Sequence, residues 1–352
     1  MRSLFSILCF FSMTLHAVDL STSGEVYGFG VHRELFPEWT GNLDLRPQFE
    51  ATQGERLKFL TRPRLKASTQ TTKFQFDDLY LNYFATETLT LTAGIQNYQW
   101  GPAELLSPSN PLFHLQQGSR SLLFRQRGLV LLKTIYSISP DLIVTGLAEP
   151  VSYMERDWIA GKDYAPRGLI KIERRFKNAG NYLALVGGRM DDKTAFVGQY
   201  GSWYPTEVFS LYFDARETET NILATLGVRY EGDIDTRAEY VYNGFGYDET
   251  QWRLALLTGA FLQPSGLELP KRHYLYLSLR TDKLGKGDSL RVSLRYLASL
   301  QDGSGTIITP IEWSFADSFT AILEPSFSHG GKTSELHLGS SYEILGAVRF
   351  AY

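Results

Sequence analysis

The chain has 352 residues, a formal net charge of −3, a single cysteine, and 43% hydrophobic residues dispersed at a mean hydropathy of −0.18. The small acidic excess excludes a dedicated nucleic-acid binder, and the lone Cys9 excludes a disulfide framework or a thiolate metal centre. Past the first residues no apolar run approaches the roughly 18 residues that a membrane-spanning helix needs.

The first 17 residues read as an export leader: Arg2 is the positive start, Leu4 to Met13 an apolar stretch too short to span a bilayer, and Ala17 a small residue at the expected cut. Leu15, at the third position before that cut, is larger than usual. Cys9 falls inside the leader, so residues 18–352 form one cysteine-free domain. Aromatic residues make up 14% of the chain, with 20 Tyr and 22 Phe. An exported, moderately polar, tyrosine-rich chain matches a transmembrane barrel, whose apolar residues are spread out by alternation.

Eighteen alternating segments follow, near 22–34, 41–53, 56–69, 74–86, 88–99, 127–138, 141–150, 167–176, 181–189, 194–203, 207–215, 220–231, 235–245, 272–281, 288–299, 305–315, 318–328 and 334–352. In the second, Leu43, Leu45, Pro47 and Phe49 share one face, and Asn42, Asp44, Arg46, Gln48 and Glu50 the other. A soluble sandwich gives the same period, but so many charged inner faces cannot form a dry core, whereas a water-filled lumen accepts them. The expected fold is therefore an all-β, transmembrane antiparallel β-barrel of about 18 strands, 16 being the next most favoured count. Loop lengths agree, because the gaps 86–88, 138–141, 176–181, 231–235 and 315–318 follow even strands and are short. The long gaps 99–127, 150–167 and 245–272 follow odd strands, as expected when both termini lie in the periplasm. Residues 250–263 fit helical spacing, with Trp252, Ala255, Leu256, Gly259 and Ala260 on one side, and are placed as a short helix in an outer loop. Phe84, Tyr136, Phe176, Tyr182, Tyr200, Trp203, Tyr204, Tyr230, Phe315 and Phe319 flank the short turns and read as an interfacial girdle.

The chemistry available to such a barrel lies in its lumen charges. The third segment places Lys58, Arg62, Arg64 and Lys66 on one face, next to Arg46 of its neighbour. Further basic candidates are Arg291 and Arg295, and acidic ones include Asp78, Glu239, Glu312 and Glu324. Segregated charge of this kind sets a transverse field across a narrow pore. The long segment after the fifth strand breaks at Trp100-Gly101-Pro102 and closes on Arg120, Arg125 and Arg127; residues 100–126 are a loop able to fold inward and narrow the lumen. The five histidines beyond the leader show no hydrolase flanks, and no GxSxG, HExxH or P-loop pattern occurs, so an enzyme is not expected and no cofactor is implied.

Gly94, Gln96, Trp100, Gly101, Asn110 and Pro111 resemble a Gly-x-Gln, Trp-Gly, Asn-Pro motif of porin-like outer-membrane barrels of Gram-negative bacteria, including alginate-export-type barrels. In those families the motif closes a strand and enters a loop. The alginate exporters are larger and more basic, so their substrate is not carried over. The ending YEILGAVRFAY, with Val348, Phe350 and Tyr352 on one face, resembles the C-terminal signal read by the barrel-assembly machinery, with Tyr in place of the usual Phe. The resulting expectation is an outer-membrane channel for passive diffusion of small hydrophilic solutes, seated among outer-membrane lipid and lipopolysaccharide, with its oligomeric state open. The alternatives are a plugged binding or adhesion barrel and a polysaccharide-export barrel.

Overall fold

In the computed structural model the described residues are 18–34, 36–68, 71–112, 121, 123, 128–150, 167–176, 180–190, 194–258, 269–331, 334–337 and 341–352. The expected leader, the arginines at 120, 125 and 127, and the loop 151–166 lie outside them.

Nineteen strands form one closed antiparallel sheet: β1 (Val18–Arg33), β2 (Phe36–Gln53), β3 (Leu57–Ser68), β4 (Thr72–Phe84), β5 (Leu89–Gln96), β6 (Leu129–Ser139), β7 (Leu142–Glu149), β8 (Arg167–Arg175), β9 (Tyr182–Arg189), β10 (Ala195–Thr206), β11 (Phe209–Thr218), β12 (Ile222–Glu231), β13 (Asp235–Asn243), β14 (His273–Leu284), β15 (Leu290–Ser299), β16 (Gly305–Ile308), β17 (Ile311–Ala316), β18 (Phe319–His329) and β19 (Tyr342–Ala351). Apart from β16 and β17, each pairs with its sequence neighbours, and β1 closes on β19 from Glu25↔Ala351 to Arg33↔Glu343. β16 and β17 share one position between β15 and β18, so the wall is 18 strands around. The break falls at Thr309-Pro310, where proline has no N–H to give to the ladder. Closure leaves the sheet without a free long edge, which is what a β-structure needs in a bilayer.

Alternation then sorts the side chains. Leu132, Ile170, Leu185, Val197 and Leu226 stand exposed on the outer face, whereas their neighbours Leu131, Leu169, Ala184, Phe196 and Thr225 are buried inside. Phe84, Tyr136, Phe176, Trp203, Tyr230, Phe315 and Phe319 are exposed near the short-turn end, as a girdle requires. Tyr182 and Tyr200 depart from that expectation. They occupy inward positions, Tyr200 is 1% exposed, and its hydroxyl donates to Glu173 Oε2 at 2.8 Å.

The expected helix is present as α1 (Glu249–Thr258), with Trp252 and Ala255 buried. The last strand begins later than expected, at Tyr342, because Glu335–His337 form a 3-10 turn tied into the barrel mouth. Between β3 and β4 the register shifts after Arg62, leaving Asp77 opposite no partner. This bulge directs the successive carboxylates of Asp77 and Asp78 inward, where each is buried.

Gly94 in β5 has φ +130°, and a Cβ there would lie 2.2 Å from the Leu79 carbonyl oxygen. Gly94→Ala is therefore expected to lower the unfolding free energy by about 2–4 kcal/mol, read as the urea midpoint of the vesicle-folded barrel. An unchanged midpoint would show that β4 and β5 separate freely at this point.

Candidate functional site

The segment leaving β5 turns into the barrel. Asp78 Oδ1 accepts the Asn97 N–H at 3.1 Å, and the chain then crosses to β11–β14. Ser107-Pro108-Ser109-Asn110 forms a tight turn closed by Asn110 N–H to the Ser107 carbonyl at 3.1 Å, with proline at its favoured second position. Ser109 N–H donates to Asp214 Oδ1 at 2.6 Å, and the Ser107 hydroxyl donates to Asp214 Oδ2 at 2.6 Å. Glu239 receives two further backbone donors, Glu104 N–H at 2.6 Å and Leu105 N–H at 2.9 Å, together with the Tyr212 hydroxyl at 2.7 Å. Thr225 Oγ1 donates to the Leu106 carbonyl at 3.0 Å. The Glu104 carboxylate faces Arg237 at 3.2 Å and accepts from Tyr276 at 2.8 Å. Leu105 and Leu106 are fully buried against Leu223, Val241, Tyr274 and Tyr276.

The motif residues build this loop. Gly101 has φ +95°, and a Cβ there would lie 2.4 Å from Asp214 Oδ2, so only glycine allows the backbone this close to the wall. Trp100 Nε1–H donates to Ser109 Oγ at 3.2 Å, and Gln96 Nε2–H donates to the Leu131 carbonyl at 3.1 Å. Asn110 is fully buried and Pro111 is buried beside it. All six are structural. The loop's later part reaches the wall near the seam: Leu123 packs on Tyr27, Ile322, Leu345 and Ala347, and its carbonyl accepts from Arg46 Nη2 at 2.7 Å.

The basic row does face inward, but it is not a row of free charges. Arg46 and Arg64 are 5% and 2% exposed and converge on Asp44 Oδ2, at 2.8 and 2.5 Å. Their role is to hold Leu123, and Asp44 carries both cations. Lys58 pairs with Glu50 at 2.7 Å, whereas Lys66 is exposed toward the long-loop end. Arg62 differs. Its Nε donates to Gln48 at 2.7 Å and its Nη1 to Asp78 at 3.1 Å, yet 38% of its side chain remains accessible. It lines a polar cavity of ≈ 290 Å³ with Glu25, Arg46, Gln48 and Asp77.

Of the other expected lumen residues, Arg291 meets Glu312 at 3.4 Å on the accessible inner wall, and Arg295 and Glu324 are buried inward. Glu239 lies behind the loop, so it docks the loop and does not line the pore. The sequence reasoning did not single out Asp214, Glu104 or Asp235. Asp235 sits among Arg229, Arg237 and Arg280, at 2.8, 3.8 and 2.8 Å. The inward face of β11, Ser210-Tyr212-Asp214-Arg216, carried the signal for Asp214.

A second buried polar centre ties the loops at the mouth. Lys271 is fully buried; its Nζ reaches Asp302 at 2.6 Å, Glu249 of α1 at 3.6 Å, and the Trp252 ring at 5.3 Å. The Tyr274 hydroxyl donates to Glu335 at 2.7 Å. Burial pushes the Glu335 carboxyl up to about 8, with Asp302 adding to the rise. Asp302 itself is held well below the usual carboxylate range, because the bonds from Lys271 and Ser304 outweigh its own desolvation.

A closed barrel with an apolar outer band, a charged interior and a loop across it is a transmembrane β-barrel. Solved outer-membrane proteins of Pseudomonas aeruginosa share this architecture. OpdK with vanillate superposes with a TM-score of 0.63 at 9% identity, over 95% of this chain and 98% of that one. OccK2 (OpdF) in complex with glucuronate gives 0.62 at 11% identity over 95% and 98%, and the outer membrane protein OprD gives 0.60 at 11% over 95% and 94%. At these identities the likeness is one of fold. No family model matches the chain, and no curated protein matches it by sequence.

Two outcomes follow. Glu239→Ala leaves two backbone N–H groups and a tyrosine hydroxyl without their acceptor, at about 3 kcal/mol; single-channel recordings should show larger, noisier openings as the loop detaches. A conductance identical to wild type would mean that the loop is held elsewhere. At the mouth, the neutral Glu335 contribution is complete below its ordinary value of 4.5 and is lost as pH rises through about 8. Protease cleavage around 244–272, normalised to a peptide substrate, should accelerate between pH 7 and 9, and Glu335→Gln should abolish that acceleration.

Proposed function

We propose that this protein is an outer-membrane channel for passive diffusion of small hydrophilic solutes, favouring those that carry a carboxylate. The observation that carries the reading is the position of Arg62. The loop crosses the lumen, and beside it stays a polar cavity into which an accessible guanidinium projects, backed by buried Arg46. A guanidinium whose orientation is set by Gln48 and Asp78 is prepared for bidentate contact with a planar anion. Glu25 and Asp77 on the same cavity temper that attraction, so that a solute binds weakly enough to leave. The vanillate and glucuronate complexes of structurally similar barrels support an anionic small molecule as the solute class.

The short turns and both chain ends face the periplasm in this reading, the long loops face outward with lipopolysaccharide around them, and residues 1–17 act as the export leader. Val348, Phe350 and Tyr352 alternate on the outer face of β19, the form in which the barrel-assembly machinery reads a terminal strand. No catalytic role is assigned to any residue.

Planar-bilayer recording tests the proposal. The folded protein is expected to conduct, and Arg62→Ala is expected to move the reversal potential in a salt gradient toward cations and weaken block by benzoate-type anions several-fold. Absence of conductance by folded protein would favour a plugged binding barrel. An unaltered reversal potential would remove Arg62 from the permeation path.

A further inference from the structure

The outer face holds a feature that solute transport does not use. Register pairing aligns Arg174, Leu183, Gly201, Phe213 and Leu226 in one cross-strand row from β8 to β12. At Gly201 the row has no side chain, and Leu183 and Phe213 close over it, so that Gly201 is buried. A groove of ≈ 460 Å³ opens here, bounded by Phe176, Trp203, Leu211, Phe213 and Leu226. Phe176 and Trp203 belong to the aromatic girdle at the short-turn end. Arg174 points outward at the same level, its guanidinium 5.6 Å from the Phe176 ring, and it enters no ion pair among the described residues.

From this arrangement we infer that the groove is a binding site for one inner-leaflet phospholipid, with its phosphate on Arg174 and an acyl chain laid along Trp203, Leu211, Phe213 and Leu226. The inference rests on the membrane orientation given above and is independent of which solute passes. An arginine on a membrane-facing wall is costly unless its charge reaches the headgroup layer, and two residues from a short turn it does so. There it meets lipid phosphates, with which guanidinium forms charge-assisted bonds. Beside it, a preformed apolar depression offers an aliphatic chain close contact on three sides, whereas the convex wall elsewhere offers contact on one. Lipopolysaccharide occupies the opposite leaflet, at the long-loop end, so the occupant is a phospholipid.

The test uses the full-length folded barrel released from detergent in native mass spectrometry with phosphatidylglycerol titrated in. The expected result is one retained phosphatidylglycerol per wild-type barrel, about tenfold weaker retention in Arg174→Gln, and weaker retention in Gly201→Leu, whose side chain displaces Phe213 of the groove wall. Leu132→Ala, on the outer face of β6, should retain lipid as the wild type does. Heat-modifiable gel mobility establishes that each variant is folded, and Arg174→Glu provides a second reading if Gly201→Leu fails to fold. Equal retention in wild type, Arg174→Gln and Arg174→Glu would overturn the inference. So would a wild-type dimer lost in Arg174→Glu, which would make a second copy the occupant. Conductance should stay at the wild-type level in every folded variant. A barrel that retains lipid without conducting would refute the channel reading alone.

Discussion

An irregular segment inside a barrel has no ladder to satisfy its backbone, and each buried N–H left unpaired is costly. Residues 97–112 meet that constraint with side chains of the wall. Asp214 and Glu239 accept backbone N–H groups from both sides of the Leu106 bend, and Thr225 supplies the complementary donor. Charge-assisted bonds suit this task because one carboxylate serves two or three donors at once. The rest of the interior depends on the result. With the loop pinned to β11–β13, a polar cavity lies on the β2–β4 side, lined by Arg46 and Arg62.

The distribution of charge follows from the same division. On β2 and β3, Arg46 and Arg64 share Asp44, and Arg64 also faces Asp77 at 3.8 Å, so both serve as buried supports. Arg62, displaced by the bulge toward Asp78, keeps part of its guanidinium accessible. Across the barrel, Asp235 gathers Arg229, Arg237 and Arg280 into a compact network. A census of lumen charges by sign therefore overstates the field, because most cations are already paired. Arg62 is among the few that keep an exposed side chain beside the loop.

The closed barrel was legible in the sequence because its causes are periodic. Leu43, Leu45, Pro47 and Phe49 against Asp44, Arg46 and Gln48 is a one-dimensional pattern that states which face is which, and β2 obeys it from Leu43 to Phe49. Gly94, Gln96, Trp100, Gly101, Asn110 and Pro111 lie on β5 and the segment that follows it, where Gln96 and Trp100 make internal hydrogen bonds. The partners of the lumen residues were not legible. Nothing local to Asp214 tells it from Asp235, yet one binds a loop backbone and the other three arginines. Inward Tyr182 and Tyr200 were misplaced in the girdle for a related reason: nearness to a turn sets height along the barrel, while parity sets the face.

The mouth and the constriction share one packed cluster. Leu105 and Leu106 of the loop touch Tyr274 and Leu269, with Phe245 and Leu336 against the same group. Tyr274 donates to Glu335, and its hydroxyl accepts the N–H of Lys271, which in turn holds Asp302 and α1. A displacement of the segments that carry Phe245, Leu269 or Leu336 thus opens space in the cluster around Leu105 and Leu106, and packed interiors resist that strongly. The crossing loop is consequently held from two directions, by carboxylates of the wall beneath it and by the buried lysine centre above. A segment held in this way cannot leave the wall without breaking both sets of contacts, so the shape of the lumen is fixed together with the barrel.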